Sequence, residues 1–194
     1  MEPKKGASLM SAGPEELCLR VQQLSLREQM ERNHFLLERL NASSARLIQT
    51  FEHGAVFEAI AEIIANLVGS EQVAIFNYYP AEETFCLAWS SGLAATTLQP
   101  FLSGAGMFRR AVDEGLSQFR ERQPDRALLA CEKDLTSCIL LKSSREVVGV
   151  IAIFELLPQK NCLEWADYEL LKFLETYATV AIQFQRLQAK RGTP

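Results

Sequence analysis

The sequence predicts an α+β fold. An antiparallel sheet is sandwiched between a helical bundle, built from the N- and C-terminal helices, and an irregular helical and loop section. Three observations point there. The stretch "REVVGVIAIFELL" (145–157) is apolar at Val147, Val148, Val150, Ile151, Ile153, Phe154 and Leu156, so a strand there needs cover on both faces. The strand-like runs come in pairs about short turns. The helical runs stand before, between and after those pairs rather than alternating with single strands, a pattern of α+β rather than parallel α/β folds.

The elements follow in order. Residues 1–13 read as a disordered start, and "SAGPEELC" as a helix start, with Pro14 at the first helical position and Glu15 and Glu16 at the positive end. From there to Phe51 no proline or glycine occurs. Leu26, Met30, Asn33, Leu37, Leu40, Ser44, Leu47 and Phe51 are spaced by alternating fours and threes, the seam of a coiled coil with Asn33 and Ser44 as its polar members. Unbroken, about 37 residues would make a rod of roughly 55 Å. The alternative is two helices broken near "NASS". Residues 14–53 therefore form a helical extension, and Gly54 opens a domain over 54–188, with a polar tail over 189–194.

Within that domain "AVFEAIAEIIANLVG" places Val56, Ile60, Ile63 or Ile64 and Leu67 on one helical face, stopped by Gly69. "EQVAIFNYY", a turn over Pro80–Glu83 and "TFCLAWSS" make a hairpin. "GMFRRAVDEG" is a short helix ending at Gly115, and "LSQFRE" a brief strand. "TSCILLK" and "REVVGVIAIFEL" pair about "SSRE", with Gly149 admitting a close neighbour. Leu163 to about Lys190 is a closing helix with an apolar stripe.

Composition narrows the function classes. The 194 residues carry a net charge of −4, which offers no basic field for nucleic acid or an anionic membrane. No apolar run approaches the ~18 residues that span a bilayer. Two lysines near the start lack an apolar region behind them, so a cytoplasmic location is expected. On that expectation the Asn41-Ala-Ser43 acceptor sequence is incidental. Cys18, Cys86, Cys131, Cys138 and Cys162 are an odd, scattered set, expected as free thiols.

Four segments resemble the GAF domain family, in that family's order: "VFEAIAEIIANLVGSEQVAIFNY", "GMFRRAVDEGLSQF", "REVVGVIAIFEL" with its Val-Gly-Val, and "LEWADYELLKFLETYATVAIQFQRL". The family often has a proline in the strand before the second hairpin, and "TSCILLKSS" has none. The resemblance covers about residues 54–188. It implies a sensory module, frequently dimeric through its first and last helices, with a ligand space between the sheet and the irregular section. The dimer seam expected here is Leu26, Met30, Asn33, Leu37, Leu40, Leu47, Phe51, Tyr177 and Phe184. The candidate liners are Phe76, Tyr78, Trp89, Phe101, Met107, Phe108, Arg109, Phe119 and Cys138, with Arg109 or Arg110 as the group for an anion. The same aromatic residues could instead simply fill the core.

Specific chemistries find little footing. His34 and His53 are the two histidines, and Cys131 and Cys138 are separated by six intervening residues, a spacing that matches no common zinc site, so no metal and no cofactor are expected. "SGAGMFRR" lacks the further residues of a nucleotide loop. Within the family, the Asn-Lys-Phe-Asp-Glu type signature of cyclic-nucleotide binders is absent, and Cys131 precedes Glu132 rather than histidine, unlike bilin attachment sites. Free methionine sulfoxide reductases use cysteines in this part of the fold, and Cys86, Cys131 and Cys138 keep that reading open. The expectation is a noncatalytic, homodimeric signalling adaptor that binds a protein partner, a small molecule, or both. The alternatives are the reductase and a dimerising scaffold with a degenerate pocket.

Overall fold

The computed structural model describes residues 14–51, 55–122, 128–144 and 146–191. The expected disordered start, the Gly54 break and the last three residues of the tail lie outside them. The chain divides into two compact units, residues 1–38 and 39–194. Helix α1 (Pro14–Phe51) supplies the described part of the first unit and the opening of the second, with no helical break at "NASS". In the first unit Leu24, Leu26, Met30, Phe35 and Leu37 are all more than half exposed, and Asn33 is exposed as well.

The second unit is built around a five-stranded antiparallel sheet in the order β2-β1-β5-β4-β3. The strands are β1 (Val73–Tyr79), β2 (Thr84–Ser91), β3 (Gln118–Phe119), β4 (Ser137–Lys142) and β5 (Val147–Ile153). The central strand β5 pairs Ile151 with Ile75 on one side and with Ile139 on the other. Its residues, with Phe154 just after it, enter two separate cores. Val148, Ile151 and Ile153 join the bundle-side core, whereas Val150, Ala152 and Phe154 join the opposite one.

Helices α2 (Val56–Ile63) and α5 (Trp165–Arg191), with the end of α1, supply the bundle-side core through Ile60, Leu170, Leu174, Ala178 and Leu47. A π-helical turn (Ile64–Val68) follows α2 and ends at Gly69, which is left-handed at φ 83° as its predicted stop requires. On the other face lie α3 (Ala95–Leu98), a 3₁₀ turn (Gln99–Ser103) and α4 (Gly106–Glu114), which ends at left-handed Gly115. Among the described residues no helix is long and apolar enough to cross a membrane.

A buried ionic group ties α1, the π turn and α5 together. Asp167, 1% exposed, receives Lys160 Nζ at 2.7 Å and Arg39 Nη2 at 3.5 Å, and its Oδ2 accepts from Glu164 N at 2.7 Å. Arg39 also donates to the carbonyl of Leu67. At the far end of α5, Arg186 donates to Asn77 Oδ1 on β1 and to Val148 O on β5. Burial pushes its guanidinium below the usual arginine range.

Two members of the expected dimer seam are corrected here. Leu47 is 1% exposed in the bundle-side core and Leu40 packs against it, because the last turns of α1 cover their own domain. The side chain of Phe51 lies outside the described residues.

Gly149 carries a direct prediction. A Cβ built there would stand 2.0 Å from Phe76 O on the paired strand. Gly149→Ala must therefore push β1 and β5 apart, lowering stability by about 1–3 kcal/mol, read as a lower urea midpoint.

Candidate functional site

The face opposite the bundle is the candidate site, and phenylalanine rings fill it. β1 brings in Phe76 and Tyr78, β2 Phe85, the 3₁₀ turn Phe101, α4 Met107 and Phe108, β4 Cys138, and the chain after β5 Phe154. Phe108 sits with its ring centroid 5.0 Å from Phe76, 5.1 Å from Phe85 and 5.0 Å from Phe101. Phe101 meets Phe154 edge-on at 5.6 Å, and Tyr78 meets Phe85 at 4.9 Å. These are the separations of rings in mutual contact, each pair worth about 0.5–1.5 kcal/mol beyond area burial. Phe76, Phe101, Met107, Phe108 and Cys138 are fully enclosed, and Tyr78 partly so.

Three predicted liners lie elsewhere. Trp89 would share a face with Phe85 and Leu87 if β2 alternated regularly. The β1 partners, however, step from Leu87 opposite Phe76 to Trp89 opposite Ile75, so Ala88 is an extra residue in a bulge. That bulge turns Trp89 onto the bundle side. Phe119 also faces the bundle, 4.9 Å from Tyr168, because Gln118, paired with Cys138, takes the other face of β3. Arg109 points outward, bonded to Glu83 at 2.7 Å and Asp113 at 3.0 Å, and these carboxylates hold its guanidinium above the usual range.

Glu132 is a polar element that the sequence reading did not single out. It is 1% exposed, and its carboxylate accepts from Met107 N, at the start of α4, and from Leu129 N at 2.8 Å. Gly106 is left-handed at φ 64°, and a Cβ there would come within 2.2 Å of Glu132 Oε1. The helix start is thus closed by a carboxylate of the chain itself. An acidic residue 25 positions along the chain from the amide it caps leaves no local sequence signal. Nearby Arg110 buries Nε and Nη2 without a hydrogen-bond partner.

The cysteines do not converge on one site. Cys86 lies between Phe85 and Leu87 on β2, so it faces away from the ring cluster, and it is exposed. Cys131 and Cys138 are on the cluster side, and burial pushes both thiols up, with the charge of Glu132 adding to the effect. Neither has the lowered pKa of a reactive thiolate. Among the described residues no group of His, Cys, Asp and Glu could hold a metal ion.

Solved structures place this architecture. A GAF domain of a phosphoenolpyruvate-protein phosphotransferase from Coxiella burnetii matches with TM-score 0.60 and 13% identity, over 80% of this chain and 96% of that one. A GAF domain/HD domain protein from Geobacter sulfurreducens matches with TM-score 0.55 and 15% identity, over 68% and 93%. A far-red absorbing dark-state protein with bound biliverdin matches with TM-score 0.52 and 16% identity, over 76% and 99%. No protein-family model matches the sequence, and no curated protein does. The fold is that of a GAF domain.

Thiol reactivity checks the site. At pH 8, alkylation followed by peptide mass mapping should modify Cys86 and Cys162 rapidly, Cys131 slowly and Cys138 only on unfolding. The folded chain keeps the Cys138 proton at pH values above about 8.5, where an unfolded thiol loses it. Stability should therefore fall as pH rises from 8 to 10, and Cys138→Val should flatten that fall.

Proposed function

We propose that the protein is a noncatalytic GAF-type sensory or adaptor module, cytosolic and homodimeric, whose output is the binding of a protein partner. One observation carries the reading. On α5, Tyr177, Val180, Phe184 and Leu187 are 46%, 54%, 44% and 55% exposed, at successive steps of three, four and three. That is a coiled-coil seam turned to solvent. Such apolar stripes mark association surfaces rather than the surface of a monomer. Leu26, Met30, Asn33 and Leu37 on α1 repeat the spacing and the exposure.

The ring-filled face supports a degenerate pocket. The biliverdin-bound neighbour is a GAF-like fold holding a ligand, whereas here the space between sheet and cover is taken by side chains. The raised thiols of Cys131 and Cys138, and the opposite face of Cys86, speak against the reductase alternative. Signalling then proceeds by a shift between helix-bundle arrangements when the partner binds. The buried Nε and Nη2 of Arg110 favour a second reading, in which a small anion is the ligand and the ring cluster opens to admit it.

Sedimentation velocity tests the first reading. The protein should run as a dimer at micromolar concentration, and Val180→Lys with Leu187→Lys should give a folded monomer with the wild-type far-UV spectrum, since both side chains lie on the surface, and a urea midpoint that no longer rises with protein concentration. A wild-type monomer would remove the proposal.

A further inference from the structure

Among the described residues β2 is an edge strand that pairs with β1 on one side only. Its eight residues, "TFCLAWSS", include no charge and no proline, the usual blocks to edge pairing. Gly104 lies against the Phe85 ring, toward one end of the strand. At the other end the Ala88 bulge turns Trp89 toward α2. There Trp89, Ser91 and Gly92 line one side of a groove of about 390 Å³, and Glu58, Ala61 and Glu62 of α2, Ala65 of the π-helical turn and Glu71 line the rest. Gly92 fixes this end of the strand: it is left-handed at φ 69°, and a Cβ would stand 2.6 Å from Glu71 O.

The charge of the groove is one-sided. Glu62 is neutralised by Arg46, whose Nε and Nη2 donate to it at 2.9 and 2.6 Å. Glu58 and Glu71 have no ion-pair partner among the described residues, and no lysine or arginine lines the groove. A strand edge with free backbone groups thus runs beside an indole and two unneutralised carboxylates over a floor of small alanines. A bulge is a known device for re-aiming one side chain at such a place.

We infer that this edge docks an extended, basic segment of a protein partner. The segment adds to β2 as a further strand, so its backbone pairs with Ala88–Ser91 and alternate side chains turn toward α2. A lysine or arginine there lies against the Trp89 indole, with Glu58 and Glu71 as counter-ions. This names the partner chemistry of the adaptor reading and rests on it, but it does not depend on dimerisation.

Trp165→Phe leaves Trp89 as the single indole, because the chain has two tryptophans. The full chain carrying that change is titrated with a decapeptide of alternating lysine and valine, read by Trp89 fluorescence. A glutamate-valine decapeptide and a lysine-valine decapeptide methylated on alternate backbone nitrogens serve as comparisons. A saturable change is expected with the first peptide alone, weakened at least tenfold by Glu58→Lys with Glu71→Lys, and weakened also by added salt. No saturable change up to millimolar peptide, or equal binding by the double variant, would overturn the site. Equal binding of the methylated peptide would overturn strand addition. Sedimentation of the same samples separates the two ideas: a dimer that ignores the peptide defeats this inference alone, whereas a monomer bears on the adaptor reading.

Discussion

The contact of Gly149 with the Phe76 carbonyl is the constraint on which the domain depends. β5 lies between β1 and β4 and is apolar on both faces, so it earns its burial only if both neighbours pair closely. A side chain at Gly149 would hold β1 off, and β1 carries Ile75 into one core and Phe76 into the other. The two cores are therefore assembled on the same pair of strands. A change on one face reaches the other through a single peptide thickness.

The helical side is fastened to that sheet by charge rather than by grease alone. Asp167 joins Arg39 of α1 and Lys160 of the preceding loop at the start of α5, and Arg186 reaches from late in α5 to β1 and β5. Leaving any one of these groups buried without its partner is costly, so the helices have few alternative registers on the sheet. Asn77, which receives Arg186, is the residue after Phe76 of the ring cluster. The strand that lines the candidate site is thus the strand that α5 holds.

Much of this was legible in the sequence because it rests on local periodicity. The two-faced "VVGVIAIF" becomes the central strand, and Gly69 and Gly115 stop helices where glycine spacing placed them. The departures have nonlocal causes. Trp89 changes face because of one inserted residue in β2, and a bulge has no signature in "TFCLAWSS". Leu47 fits a coiled-coil seam by spacing alone, yet the domain that follows uses it as core. Glu132 caps a helix far back along the chain, a pairing visible only after folding.

Two surfaces and one filled interior then define what the molecule has to offer. The ring cluster fills the face of the sheet opposite the bundle, the stripe on α5 presents apolar side chains to solvent, and the Trp89 groove presents carboxylates. The central claim is that this GAF fold works through its surfaces and not through a bound small molecule. Native mass spectrometry of freshly purified protein, beside a denaturing spectrum of the same sample, tests it most directly. The account predicts a species of twice the 21.8 kDa chain mass with nothing added. A species that carries extra mass, lost on denaturation, would contradict it.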